Sequence, residues 1–164
     1  MKKLLFVCLG NICRSPAADG VFSAMITEKN LAGTLACDSC GTGDWHIGQL
    51  PDPRMRAAGA QRGYNFTHRA RQLCAADYKN FDLIIAMDDA NFRDIIARAP
   101  AGADTSKVRR FAEFCTGEFA GTSHVPDPYY GGEKDFHHAL DIIENGCVAL
   151  LNFNLQKSGG NAHT

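Results

Sequence analysis

Short apolar runs alternate with amphipathic stretches along this chain, and the alternation predicts an architecture before any chemistry is considered. Lys3–Val7 is apolar from Leu4 onward, the pattern of a parallel strand covered on both faces. Over Pro16–Asn30, Ala18, Val21, Phe22 and Met25 recur at helical spacing. Thr34–Ser39 reads as a second strand, followed by Gly41-Thr42-Gly43 and a loop rich in Gly and Pro. Arg54–Arg62 reads as a helix that stops near Gly63. Phe81–Met87 is a third strand centred on Leu83, Ile84 and Ile85. Asp88–Ala99 is a helix with Phe92, Ile95, Ile96 and Ala99 on one face, ended by Pro100. Lys107–Phe111 makes a short fourth strand, and Val125–Gly132 a loop with two prolines and a glycine pair. Lys134–Leu155 is a long last helix that turns Phe136, Leu140, Ile143, Cys147 and Leu151 inward. Residues 158–164 form a polar tail, expected to fray.

Strand and helix in alternation imply the α/β class: a three-layer αβα, doubly wound, Rossmann-like domain. Its four-stranded parallel sheet carries helices on both faces, joined by right-handed crossovers. No linker or repeat divides the chain, so residues 1–157 are expected to form a single domain. Ligands of such folds bind beyond the carboxyl ends of the strands, where strand order reverses.

Composition narrows the function. The net charge is −1, so no global field recruits nucleic acid or an anionic membrane, and anion binding has to be local. Met1-Lys2-Lys3 before an apolar run resembles a secretory signal. The run ends at Gly10-Asn11 and is too short, so it reads as a buried strand. Seven cysteines, an odd number, point to free thiols in a reducing cytoplasm rather than to a disulfide framework.

The candidate chemistry sits where the first strand meets the first helix, in Cys8-Leu9-Gly10-Asn11-Ile12-Cys13-Arg14-Ser15-Pro16. Pro16 suits a first helical position, with Ser15 as its N-cap. The loop can turn its backbone N–H groups inward at the positive end of the helix, making a phosphate-sized anion site. Gly10 permits close approach, and Asn11 tolerates a left-handed backbone. A cysteine at a helix N-terminus beside an arginine is expected to be held as thiolate. Arg14 offers a planar fork for two phosphate oxygens, and five residues between Cys8 and Arg14 let both reach one phosphate. With seven cysteines the spacing alone is weak; its placement between a buried strand and a helix start carries the reading.

This segment resembles the signature loop of the low-molecular-weight protein tyrosine phosphatases. Further matches follow in the family's order: Gly41-Thr42, Trp45-His46-Ile47-Gly48, Asp52-Pro53-Arg54, His68-Arg69-Ala70-Arg71-Gln72 and Asp127-Pro128-Tyr129-Tyr130. The resemblance implies hydrolysis of phosphotyrosine and small aryl phosphates through a phosphocysteine, without a cofactor or metal. It implies Cys8 as nucleophile, Arg14 as phosphate clamp and Asp127 as general acid and then base. Leu9, Gly10, Asn11, Ile12, Cys13 and Ser15 complete the phosphate-binding loop, with Ser15 donating to the Cys8 thiolate. Trp45, Tyr129 and Tyr130 become pocket walls. Ser39 and His68 support the loop with Asn11, and Asp88 is placed to orient Arg14. Cys13 resembles a second loop cysteine able to pair reversibly with Cys8 under oxidation. Implied partners are tyrosine-phosphorylated proteins, among them an autophosphorylating bacterial tyrosine kinase, and inorganic phosphate or a similar oxyanion as product or inhibitor.

Three other readings compete. Arsenate reductases share the loop and fold, but Cys74, Cys115 and Cys147 are isolated in sequence and form no redox pair. Cys37-Asp38-Ser39-Cys40 has zinc spacing but no matching second pair, and His137 and His138 point in different directions on a helix. A phosphotyrosine-capture module would lack part of the Cys8, Arg14 and Asp127 set, which is complete. A protein-arginine phosphatase branch resembles this loop but carries Thr where Ile12 stands.

Overall fold

The structure, a computed structural model, describes residues 1–159, with side chains described through residue 157. The opening apolar run becomes β1 (Lys2–Cys8), the strand on which the sheet is built. Its residues alternate between two apolar cores. Leu4, Phe6 and Cys8 enter the larger one, and Leu5 and Val7 the smaller. That period of two with both sets apolar is why the run reads as continuous.

The sheet has four parallel strands in the order β2-β1-β3-β4, with β2 (Leu35–Gly41), β3 (Leu83–Ala86) and β4 (Val108–Arg110). Strand order reverses at β1, so the crevice beyond Cys8 lies at the switch point. The helix α1 (Arg14–Glu28) and the last helix α5 (Glu133–Gly159) close the larger core, through Val21, Phe22, Phe136, Leu140, Ile143, Cys147 and Leu151. The short α3 (Asp77–Asn80) and α4 (Asp89–Arg98) close the smaller core through Tyr78 and Ile95. The helix α2 (Pro53–Ala60) adds Met55 and Ala58 to the larger core. Helices therefore cover both faces, and the three-layer α/β class expected from the alternation is the class observed.

Three local readings are corrected. The first helix begins at Arg14, before Pro16, and Cys13 holds the N-cap position without a side-chain cap bond. Ser15 is not the cap, because its hydroxyl is turned instead toward Cys8 Sγ and Asn11 in the loop after β1. Ile96 is exposed; α4 buries Asn91 and Ile95 inward, and Phe92 only in part. The last helix continues to Gly159, so residues 158 and 159 of the expected tail are helical, while 160–164 lie outside the described residues. No helix among the described residues is long and apolar enough to cross a membrane.

Candidate active site

The loop after β1 is shaped by where its carbonyls go. Thr42 N–H donates to the Cys8 carbonyl and Gly43 N–H to that of Leu9, each at 2.9 Å. Asp52 N–H takes the Ile12 carbonyl at 2.8 Å, and Ala17 N–H that of Cys13 at 3.3 Å. The surrounding elements thus draw the carbonyls outward. Among the described residues, the N–H groups of residues 9–13 donate no backbone hydrogen bond, which leaves them to form an anion cradle at the start of α1. Asn11 has φ +56°, the left-handed conformation that turns the loop. Gly41 lies directly beneath: a Cβ there would stand 2.6 Å from the Leu9 carbonyl oxygen, so only glycine lets β2 support the loop this closely.

Side chains lock the turn from behind. Asn11 Nδ2 donates to Ser15 Oγ at 2.8 Å and to Ser39 Oγ at 3.0 Å. Its Oδ1 accepts from Arg71 N–H at 3.0 Å and lies 3.0 Å from His68 Nε2. Since the Asn11 amide nitrogen already donates twice, His68 is the donor through Nε2. His68 Nδ1 then faces Asp19 Oδ2 at 3.6 Å and Asp38 Oδ1 at 3.5 Å. Among the described residues these three side chains have ligand atoms close enough for a metal ion, all within 4.8 Å. Arg71 already balances Asp38, holding its Oδ2 through Nε at 3.1 Å and Nη2 at 2.9 Å, and continues to Asp77. Burial pushes the Asp19 carboxyl above the usual range, with the nearby His68 and the Cys37 and Ser39 hydrogen bonds opposing it.

Cys8 Sγ lies 3.0 Å from Ser15 Oγ. Ser15 has one proton and two places to send it: Cys8 Sγ, or the Cys40 carbonyl at 3.3 Å. A thiolate at Cys8 can only accept, so in that state Ser15 donates to sulfur. Arg14 is buried, and its Nη1 donates to Asp88 Oδ2 at 2.6 Å and to the Val125 carbonyl at 3.1 Å. Asp88 in turn caps α4 by accepting from Asn91 N–H at 2.7 Å. Burial works against the Arg14 charge, but Cys8, Asp88 and Asp127 together hold its pKa above the ordinary value. Cys13 is different: burial, then Asp52, Cys8 and Asp127, push its thiol up, so it stays neutral beside the other groups.

The pocket mouth is built by distant segments. Asp127, from the loop before α5, brings Oδ2 to 3.5 Å from Arg14 Nη2, and its Oδ1 accepts from Tyr129 N–H at 3.2 Å. A cavity of about 290 Å³ is lined by Cys8, Arg14 and Asp127, by the exposed rings of Trp45, Tyr129 and Tyr130 at its rim, and by Leu9, Gly10, Ile12 and Cys13. Tyr129 and Tyr130 meet edge to face with centroids 5.0 Å apart. The expected residues that do not line the cavity, Asn11, Ser15, Ser39, His68 and Asp88, stand behind it in the hydrogen-bond network.

Other participants were not singled out from the sequence. His46 lines the cavity, its Nδ1 3.0 Å from Gln49 Oε1 and its ring against Gly10. It lay within a recognised motif, so adjacency to Trp45 was a signal. Asp19 and Asp38 carry no local signal, because only the fold brings them to His68, whereas Arg71 stands inside the matched segment His68-Arg69-Ala70-Arg71-Gln72. Cys37 and Cys40 enter opposite cores, so a strand geometry excludes them from one metal site. All seven cysteines are free.

Known proteins carry the same pattern. Residues 3–160 match the sequence profile of the low molecular weight phosphotyrosine protein phosphatases. A low molecular weight phosphotyrosine protein phosphatase of Schizosaccharomyces pombe is 46% identical over 82% of this chain and 85% of its own. The crystal structure of a protein tyrosine phosphatase from Entamoeba histolytica, with Hepes in its active site, is 45% identical and superposes with a TM-score of 0.89, covering 97% of this chain and 99% of that one. The structure of a Drosophila arginine phosphatase superposes with a TM-score of 0.85 at 29% identity, covering 93% and 97%. With a match that runs almost from end to end, and relatives of this identity along their own length, the chain belongs to the low molecular weight phosphotyrosine protein phosphatase family.

Proposed function

We propose that this chain is a protein-tyrosine phosphatase that hydrolyses phosphotyrosine and small aryl phosphates through a phosphocysteine at Cys8. The observation that carries the reading is the convergence of Cys8, Arg14 and Asp127 on one cavity rimmed by aromatic rings. The phosphate sits in the loop's N–H cradle, with the Arg14 fork on two of its oxygens. Asp88 and the Val125 carbonyl hold that guanidinium in place. Cys8 Sγ attacks phosphorus as the bond to the aryl oxygen breaks, and Asp127 gives its proton to the leaving phenoxide. A water then attacks the phosphocysteine. Asp127, now a carboxylate, takes its proton; the S–P bond breaks, inorganic phosphate leaves and Ser15 donates to the returning thiolate.

The rim argues for an aryl substrate. Trp45, Tyr129 and Tyr130 offer apolar surface to a flat ring, and Ile12 adds an aliphatic side chain to the cavity lining. The partners are tyrosine-phosphorylated proteins, an autophosphorylating kinase being one class. Phosphotyrosine, phosphoserine and phosphoarginine peptides compared at equal concentration test the reading. Phosphotyrosine is expected to turn over fastest; preference for phosphoarginine would place the chain with the arginine phosphatases. Cys8→Ser should abolish turnover while retaining phosphate binding, and residual turnover near wild type would remove Cys8 from the nucleophile role.

A further inference from the structure

We propose that Arg54 is a positioning residue for the acid loop: through Tyr129 it holds the backbone that aims Asp127 at the cavity. The inference rests on the phosphatase reading above and extends it to a residue outside the cavity lining. Arg54 belongs to the first turn of α2, and its guanidinium stands over two rings, 5.4 Å from the Tyr129 centroid and 4.8 Å from that of Phe136. Phe136 is fully buried in α5, so one ring is a fixed base and the other belongs to the pocket wall. A planar cation suits such stacking.

The guanidinium is itself aimed. Its Nε donates to Asp52 Oδ1 at 3.1 Å and its Nη2 to Asp52 Oδ2 at 2.9 Å, a two-point grip. Asp52 Oδ1 also accepts from Arg54 N–H at 2.8 Å, capping α2. Asp52 N–H holds the Ile12 carbonyl, so the same residue that orients Arg54 is bonded to the phosphate loop. At the other end, Tyr129 N–H donates to Asp127 Oδ1. A continuous chain of contacts therefore runs from Ile12 through Asp52, Arg54 and Tyr129 to Asp127. The Arg54 side chain is 47% exposed, so screening by water limits what its ion pair can add to global stability. A weak contact placed on a loop can still decide how often that loop is in position.

Kinetics across leaving groups tests this. Asp127 matters most when the departing phenoxide is basic, so a misplaced acid loop should be felt on phenyl phosphate and hardly on para-nitrophenyl phosphate. Arg54→Met, which keeps the length and loses the charge, is expected to lower kcat/KM, which reports the step that expels the phenol, about tenfold on phenyl phosphate and less than about threefold on para-nitrophenyl phosphate. In a Tyr129→Ala background the same substitution should have little further effect, because the ring it acts on is gone. Arg54→Lys retains a cation over the rings and should lose less than Arg54→Met. Equal losses for both leaving groups, full additivity with Tyr129→Ala, or equal losses in the Lys and Met variants would each overturn the proposal. Failure of the phosphatase reading shows separately, as absence of aryl phosphate hydrolysis by the unsubstituted protein.

Discussion

Ser15 shows how much a single hydroxyl can be asked to do. It accepts from Asn11 and has one proton to place, either on Cys8 Sγ or on the Cys40 carbonyl. In the proposed mechanism its effect should appear where charge returns to sulfur, in hydrolysis of the phosphocysteine. A hydrogen bond to a charged group contributes about 1.5–3 kcal/mol, which is roughly ten- to hundredfold in rate. Ser15→Ala is therefore expected to slow steady-state turnover by that order. With para-nitrophenyl phosphate it should leave a stoichiometric burst of nitrophenol, because the second step becomes limiting. Rapid mixing measures both; slowing without a burst would mean that Ser15 acts on the first step or on the loop's shape.

At the scale of elements, the segment between α2 and α3 shows how a loop without regular structure is fixed. Phe66 is buried against Gly20 of α1 and Gly59 of α2, and a Cβ at either glycine would overlap its ring. Tyr64 stacks on it with an interplanar angle of 10°. Two residues further on, His68 reaches Asn11, so the packing of Phe66 sets the back wall of the phosphate loop. Gly59→Ala tests this, because two effects oppose each other. Helix propensity favours alanine by about 1 kcal/mol, whereas overpacking costs about 1–3 kcal/mol. Net destabilisation is expected in urea unfolding, with recovery when Phe66→Leu is added; a more stable Gly59→Ala would show that the ring moves aside freely. Although the resemblance already set His68 beside Asn11, the packing of Phe66 between the two glycines was not legible in the sequence. The strands and amphipathic helices were, because their burial follows from local period, and Cys8 to Arg14 was, because its chemistry is contiguous. Gly20 and Gly59 look like ordinary helix interruptions until Phe66 is placed between them. Ser15 departs from its local signal for the same reason: a serine before a proline suits a cap, and a tertiary partner claims its hydroxyl.

Across the whole molecule, the net charge of −1 says little about the site, because the charges that matter are compensated locally. Arg14 is shared by Asp88 and Asp127, Arg71 by Asp38 and Asp77, and Arg54 by Asp52. Such pairs link the fold to pH, and Asp52 provides a clean case. Its hydrogen bond with the Arg54 guanidinium, opposed by desolvation and helped by the Arg54 N–H, holds its pKa below the usual carboxylate range. A carboxyl lowered by folding is protonated more readily in the unfolded chain, so stability rises with pH between the folded and unfolded values. The contribution is complete above the unfolded value, about 4, and is lost as pH falls through the folded one. Asp52→Asn preserves an acceptor for the α2 cap but removes the charge. The variant should be less stable than the unsubstituted protein at pH 7, and the gap should close as the pH falls below about 4. Urea unfolding at a series of pH values measures the gap directly. A constant difference would mean that Asp52 acts through its cap and its hold on Ile12, and that its pairing with Arg54 contributes nothing to the fold.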